Sequence, residues 1–125
     1  LSLHDALPIS INNYILQCRR KNSVLEPTLS AIYQLQMNDN EVCINTGFIF
    51  PNQIYIETHP VEWQLNYLLL RRKYDRHQSC DLLMSIIKFR YFAYHKYHKL
   101  TILKDLLNDF EKMYYNRCLS VQNQS

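Results

Sequence analysis

The chain has 125 residues, of which 47% are apolar and 20% are charged, with one glycine, four prolines and a formal net charge of +3. This is enough for a single domain with one core, and it excludes collagen-like proteins, linkers and disordered acidic tails. No stretch approaches the roughly 18 consecutive apolar residues of a membrane-spanning helix, so no membrane association is expected.

The first residues differ in character from the rest of the chain. Residues 1–9, LSLHDALPI, resemble the translation of a common short-read sequencing adaptor. We therefore predict that residues 1–10 are a non-native segment and that one domain covers residues 11–120. The segment has neither the basic start nor the long apolar centre of a secretory signal. The four widely spaced cysteines are then expected to be reduced thiols.

Residues 31–57 are predicted to form a small antiparallel β-meander. At the start of this stretch, residues alternate with the period of two that is typical of a half-buried strand. An Asn-Asp-Asn turn follows. Two apolar runs then flank an Asn-Thr-Gly link, which is typical of a hairpin with Gly47 in the left-handed conformation. The strands are predicted at 31–37, 41–44, 48–50 and 53–57.

Residues 60–117 are predicted to form about three α-helices, followed by a loose tail at 121–125. The predicted caps are Thr58 or His59, Ser79 and Thr101. Two apolar stripes on the first helix indicate that it is covered on more than one side, and the second helix is expected to continue to about Lys96. The third helix carries a stripe of Leu103, Leu106, Leu107, Phe110, Met113 and Tyr114. The predicted fold class is α+β, a β-meander followed by helices.

Positive charge is concentrated in residues 71–99, which hold eight Lys and Arg against two acidic residues. Within this window, residues 88–99 read KFRYFAYHKYHK, where cations lie next to aromatic rings. On a helix, several of these side chains would share one face. The pattern fits an acidic protein partner, a nucleic acid or simply a solvated helix face. The candidate binding residues are Lys88, Arg90, Tyr91, Phe92, His95, Lys96 and Lys99.

Zinc is the metal that the residue types suggest, because it prefers thiolate and imidazole ligands. A structural zinc usually takes two ligands from one tight turn, and His77 and Cys80 are close enough to form such a pair. Cys18 and Cys43 could join them only if the fold brings them near. Buried free thiols are the alternative, and no cofactor is the default expectation.

Catalysis has little support in the sequence, and an enzyme is not expected. His59 and Glu62 lie at a predicted helix start, where capping and dipole effects account for such a pair. His77 and Cys80 have no evident third group to orient them as a dyad. A chain with one glycine cannot supply a glycine-rich phosphate loop.

Residues 40–47, NEVCINTG, resemble the Val-Cys-x-x-Thr-Gly turn of a family of herpesvirus late-gene regulators. Cys18 lies 25 residues before Cys43, similar to a cysteine of that family. The helical middle and the apolar segment 100–103 follow the family's order of features, over about residues 12–119. The richness in Asn, Tyr and Lys resembles the AT-rich roseolovirus branch. The family's further N-terminal cysteines have no counterpart here.

The resemblance implies a non-enzymatic regulator of viral late gene expression. Such proteins are interaction components of the virus-specific preinitiation complex that beta- and gammaherpesviruses assemble on late promoters. The implied partners are other viral late-gene regulators and, through them, host RNA polymerase II. The implied location is the host nucleus, with the cytoplasm second. The alternative function, from the residues themselves, is a helical module that binds nucleic acid directly through residues 88–99.

Overall fold

The computed structural model describes residues 8–21, 26–90 and 96–124, which form six α-helices and one short 3₁₀ helix. The α-helices are α1 (Pro8–Arg20), α2 (Pro27–Leu35), α3 (Asp39–Asn45), α4 (Pro60–Arg71), α5 (Arg76–Ile86) and α6 (Lys96–Gln124), and the 3₁₀ helix is Pro51–Tyr55. No strand or sheet forms within these ranges. The predicted α+β fold with a β-meander is therefore wrong, because the described part of the chain is helical.

The segment predicted as the first strand belongs to α2. Glu26 caps this helix, since its carboxylate accepts a hydrogen bond from the backbone N–H of Leu29 at 2.7 Å, and Pro27 occupies the first helical position. The buried residues of α2 recur at helical spacing: Thr28, Ala31, Ile32 and Leu35. Tyr33, expected to share a strand face with Ala31 and Leu35, is 84% exposed. The cap and the proline favour a helix. The alternation of apolar and polar residues is too short to favour a strand against them.

The second predicted strand is helix α3, and the Asn-Asp-Asn cluster is its cap rather than a turn. The Asn38 side chain accepts from the Glu41 N–H at 2.8 Å, and the Glu41 carboxylate accepts from the Asn38 N–H at 3.3 Å, which is a capping box. Gly47 does have the predicted positive φ, +89°, but in the connection after α3. A Cβ atom there would lie 2.6 Å from Cδ1 of Ile11, so any other residue would need a shift of the Ile11 side chain in addition to a strained backbone.

The last two predicted strands are replaced by an extended connection and the 3₁₀ helix. Pro51 begins the 3₁₀ helix, as its fixed φ favours. Ile56 then forms an isolated antiparallel bridge with Phe89, far along the chain. The predicted strand that contains Ile56 therefore pairs with a distant segment and not with its predicted neighbour in the meander.

The C-terminal helices form near the predicted positions, but with different limits. His59 is the cap of α4, as one of the two predicted candidates. Asp75, not Ser79, caps α5, by accepting from the Gln78 N–H at 2.8 Å, and α5 ends at Ile86 instead of near Lys96. Helix α6 begins at Lys96, before the predicted cap Thr101, and runs to Gln124. At the other end of the chain, α1 begins at Pro8, within the segment predicted to be non-native.

Helix α4 lies between two hydrophobic clusters, which confirms that it is covered on more than one side. Val61 and Leu65 pack with residues of α1, α2 and α3. Trp63 and Tyr67 pack with α5, α6 and the 48–56 connection. The α6 stripe supplies Leu103, Leu106, Leu107 and Phe110 to the second of these clusters, with Met113 and Tyr114 partly buried at its edge. None of the described helices combines the length and the apolar content that a bilayer-crossing helix needs.

The cap of α4 makes stability depend on pH. Nδ1 of His59 accepts from the Val61 N–H at 3.1 Å, and the ring stacks on Tyr14 with centroids 3.6 Å apart. Burial lowers the pKa of His59 to about 4. In the unfolded chain the pKa is about 6.5, so stability is full above pH 6.5 and falls as the pH drops from 6.5 to 4, by about 1–2 kcal/mol after allowing for solvent screening of this half-buried ring.

His59→Asn is the control, because asparagine keeps a cap acceptor but does not titrate. Glu62, whose pKa is raised by burial and by Glu26, binds its proton more tightly in the folded state and opposes the trend. The difference between the two proteins' denaturation midpoints across pH 4–7 therefore isolates His59. If the denaturation midpoints of the two proteins change equally with pH, this account is wrong.

Candidate functional site

Two of the cations predicted to bind a partner lie in an extended segment directly after α5. The backbone N–H of Arg90 donates to the carbonyl of Tyr55 at 2.9 Å, which fixes this segment against the end of the 3₁₀ helix. The Lys88 ammonium is exposed and lies 3.7 Å from the carboxylate of Glu57. An exposed ion pair at this distance leaves the lysine available to a competing acid.

The remaining predicted binding residues are divided between α6 and the undescribed part of the chain. Lys96 is the first residue of α6, and Lys99 lies in its first turn. Tyr91, Phe92 and His95 lie outside the described residues. The expectation of one helix from Cys80 to about Lys96, which would place several of these side chains on one face, is wrong because α5 ends at Ile86.

The tertiary structure nevertheless brings Lys88 and Lys99 together. Both line an open concavity of about 450 Å³ whose apolar part is formed by Met84, Ile87 and Phe89. The Lys99 ammonium lies 5.5 Å from the centroid of the Phe89 ring, a cation–π contact. Two lysines that are 11 residues apart thus lie on the rim of one apolar depression.

A second concavity, of about 270 Å³, lies further along the same pair of helices. Helix α5 contributes Arg76, His77 and Cys80, and α6 contributes Lys104, Leu107 and Asn108. The start of α5 thus faces the middle of α6, while the end of α5 faces its first turn. The two helices are antiparallel, and both concavities lie along the seam between them.

We refer to both concavities together as the α5–α6 groove. Cys80 lines one of them, and Met84, four residues later on the same face of α5, lines the other. The floor is apolar, since Cys80, Ile87 and Leu107 are buried members of the core beneath it. The cations that line the groove are Arg76, Lys88, Lys99 and Lys104.

A polar network fixes one end of the groove. The Arg76 guanidinium lies 3.0 Å from the Glu111 carboxylate and donates to the Asn108 side chain at 2.7 Å. The buried Tyr67 hydroxyl donates to Glu111, and burial together with this carboxylate raises the pKa of Tyr67. The charge of Arg76 is therefore compensated. Lys104 is exposed, and no described acidic side chain forms an ion pair with it.

The chemistry that this arrangement supports is binding. Burial raises the pKa of the Cys80 thiol, which keeps it protonated and a weak nucleophile. His77 lines the groove near Cys80, but its side chain is exposed and its Nε2 atom lies 3.5 Å from the Asp81 carboxylate. His59 and Glu62 lie at the start of α4 and do not line the groove. The four residues weighed for catalysis are thus divided between two places.

The cysteines weighed as zinc ligands are also dispersed. Cys18 is buried in α1, and Cys43 of α3 donates to the Asn12 side chain at 3.4 Å. His77 and Cys80 lie in the α5–α6 groove instead. Across the described ranges, no three His, Cys, Asp or Glu residues are arranged to hold a metal ion.

Comparison with known proteins gives no match among family models, curated proteins or solved structures. A functional conclusion for this chain therefore depends on its own residues and on their geometry.

Sequence reasoning missed Lys104 as a member of the site. Lys104 and Asn108 are four residues apart on α6, immediately beside the apolar stripe. A position that borders the stripe lies at the edge of the helix's contact with its neighbour, so this spacing is the signal that could have found it. The identity of the neighbour, α5, has no such signal in the sequence.

Proposed function

We propose that this chain is a non-enzymatic protein-interaction component of a viral late-transcription assembly, with the α5–α6 groove as its docking surface. The observation that carries the proposal is the groove itself: an open apolar floor with lysines on its rim. Apolar floors with a polar rim are typical of surfaces that bind proteins. The assembly is suggested by the resemblance of residues 40–47 to herpesvirus late-gene regulators.

The proposed partners follow from the same resemblance. They are other viral late-gene regulators, bound directly, and host RNA polymerase II, reached through them, in the host nucleus. The NEVCINTG segment itself has a structural role, because Val42 is fully buried and the Thr46 hydroxyl donates to the Val42 carbonyl at 2.8 Å. The segment shapes the connection after α3, while the exposed lysines belong to the groove.

Direct binding of nucleic acid is the second candidate, favoured by the cations at both ends of the groove. Phosphate contacts would make such binding weaken steeply with salt. The apolar floor favours a protein, since phosphates gain nothing from Ile87 or Leu107. Lys99 covers the Phe89 ring, which would otherwise be the platform for a stacked base.

Charge reversal of Lys88, Lys99 and Lys104 to glutamate is expected to reduce partner recovery at least fivefold without unfolding the protein, because all three lie at the solvent-accessible rim. The measurement is affinity capture of the tagged chain from infected cells, with mass spectrometry of named late-gene regulators and polymerase subunits.

The matched control reverses three exposed lysines outside the groove, Lys21, Lys73 and Lys112, and so changes the net charge equally. It is expected to recover partners at the wild-type level. If the wild-type chain recovers no late-gene regulator, or if both variants behave alike, the proposal is wrong.

A further inference from the structure

We infer that the α5–α6 groove binds an acidic amphipathic helix of about three turns, supplied by the partner protein; this inference rests on the proposed function and names the chemistry of its partner. Three properties of the groove lead to it. They are the length of the groove, the backbone groups of its walls, which are already hydrogen-bonded, and the charge of its rim.

The length of the groove and the positions of its two concavities set the size of the occupant. Helix α5 has 11 residues and is therefore about 16 Å long, which equals three turns of a second helix. Cys80 in one concavity and Ile87 in the other are seven residues apart. An occupant helix that runs along α5 would place one apolar side chain in each if its anchors were at positions i and i+7.

The concavities are large enough for such anchors. Their volumes are about 270 and 450 Å³, and a cavity of about 150 Å³ holds a benzene ring. Leucine or phenylalanine would each fit. Burial of two such side chains against Leu107 and Met84 supplies the apolar part of the binding free energy.

The walls of the groove favour a helix over an extended peptide. Along α5 and α6 the walls are helical, and their backbone N–H and C=O groups are bonded within each helix. In the extended segment after α5, the Lys88 carbonyl accepts from the Glu57 N–H and the Arg90 N–H donates to the Tyr55 carbonyl. An extended segment laid between them would bury its own backbone groups without partners. A helical segment satisfies these groups internally and presents only side chains to the groove.

The charge of the rim requires an acidic occupant. Arg76 is already compensated by Glu111, whereas Lys104 forms no ion pair with a described acid and Lys99 contacts a ring. Lys88 has only the exposed pair with Glu57. Glutamates or aspartates beside the apolar anchors would meet these three lysines, which set the register of the helix and speed its association.

The test is fluorescence anisotropy of the full chain with a labelled 15-residue helical peptide that carries Phe and Leu seven residues apart and four flanking glutamates. We expect saturable binding. A peptide with glutamine in place of the four glutamates, and a second peptide with alanine at both anchors, should each bind at least tenfold more weakly. The triple variant Lys88→Glu, Lys99→Glu, Lys104→Glu should also bind the original peptide at least tenfold more weakly. In the control Lys21→Glu, Lys73→Glu, Lys112→Glu, the affinity should fall less than twofold.

Several outcomes would overturn the inference. Equal binding of the anchor-free peptide, or equal weakening by the control variant, would reduce the effect to net charge. Tighter, steeply salt-dependent binding of single-stranded DNA of matched charge would make nucleic acid the occupant. Absence of peptide binding, with partner capture still dependent on the three lysines, would refute the helical occupant alone. Specific peptide binding without capture of any late-gene regulator would refute the proposed function alone.

Discussion

Replacement of Phe110 by alanine is expected to lower the free energy of unfolding by about 3–5 kcal/mol. Phe110 is fully buried and lies where α4, α6 and the connection after α3 meet. Its ring packs edge-on against Trp63 at 5.7 Å and Tyr67 at 6.2 Å, and it is tilted against Phe48 at 6.5 Å. Truncation would remove these aromatic contacts and leave a cavity that three rigid rings cannot fill.

Urea denaturation followed by circular dichroism measures the loss. Tyr115→Ala is the control, because Tyr115 is on the same helix but 57% exposed, and we expect it to change stability by less than about 0.5 kcal/mol. Leu103→Ala, at another fully buried α6 position, should cost about 2–5 kcal/mol. A loss below 1 kcal/mol for Phe110→Ala would show that α6 does not pack as described.

Replacement of Gln64 by leucine is expected to cost about 3–5 kcal/mol, although the side chains have similar size. Gln64 is fully buried, and its amide makes three hydrogen bonds to the backbone. Its oxygen accepts from the N–H groups of Gly47 at 2.8 Å and Phe48 at 3.2 Å, and its nitrogen donates to the Phe48 carbonyl at 2.7 Å. Leucine would remove all three of these hydrogen bonds from buried backbone groups.

Gln64→Glu separates the two kinds of contact. A carboxylate can still accept from both N–H groups, but it cannot donate to the Phe48 carbonyl and it buries a charge. We expect this variant to be unstable at neutral pH and to regain part of its stability in acid, when the protonated carboxyl can donate. Gln34→Leu, on an exposed position of α2, is the control. If Gln64→Leu melts like this control, the amide does not support the connection.

The long, strongly patterned helices were predictable from the sequence. The α6 stripe runs over several turns, so its period of 3.6 cannot be confused with a strand. Pro60, preceded by His59, predicts the start of α4, and in the structure His59 caps this helix. For the short segments before them, the alternation of polarity alone could not distinguish a helix from a strand. Seven residues of mixed polarity fit both the helical period of 3.6 and the strand period of two. Glu26 and the Asn38–Glu41 pair were the decisive signals, as caps satisfy backbone donors that nothing else nearby can.

The candidate site was predictable only in part. Lys88 and Lys99 stand out by charge, and the structure places both on one rim, but by a different route from the shared helix face that the spacing suggested. Phe89, just after the end of α5, forms a bridge with Ile56, and this pairing joins segments more than 30 residues apart. Local patterns carry no information on such a pairing.

By itself, the sequence determined that α4 has two buried faces and that the positive charge of the chain is concentrated between residues 71 and 99. These properties depend on residue type and on spacing within a few turns. Only the tertiary structure decided that α5 stops at Ile86, that α5 and α6 are antiparallel, and that Lys104 joins Lys88 and Lys99 around an apolar floor. The physical reason is that a groove is formed by two elements, and the sequence of each specifies its own buried face but not which neighbour covers it.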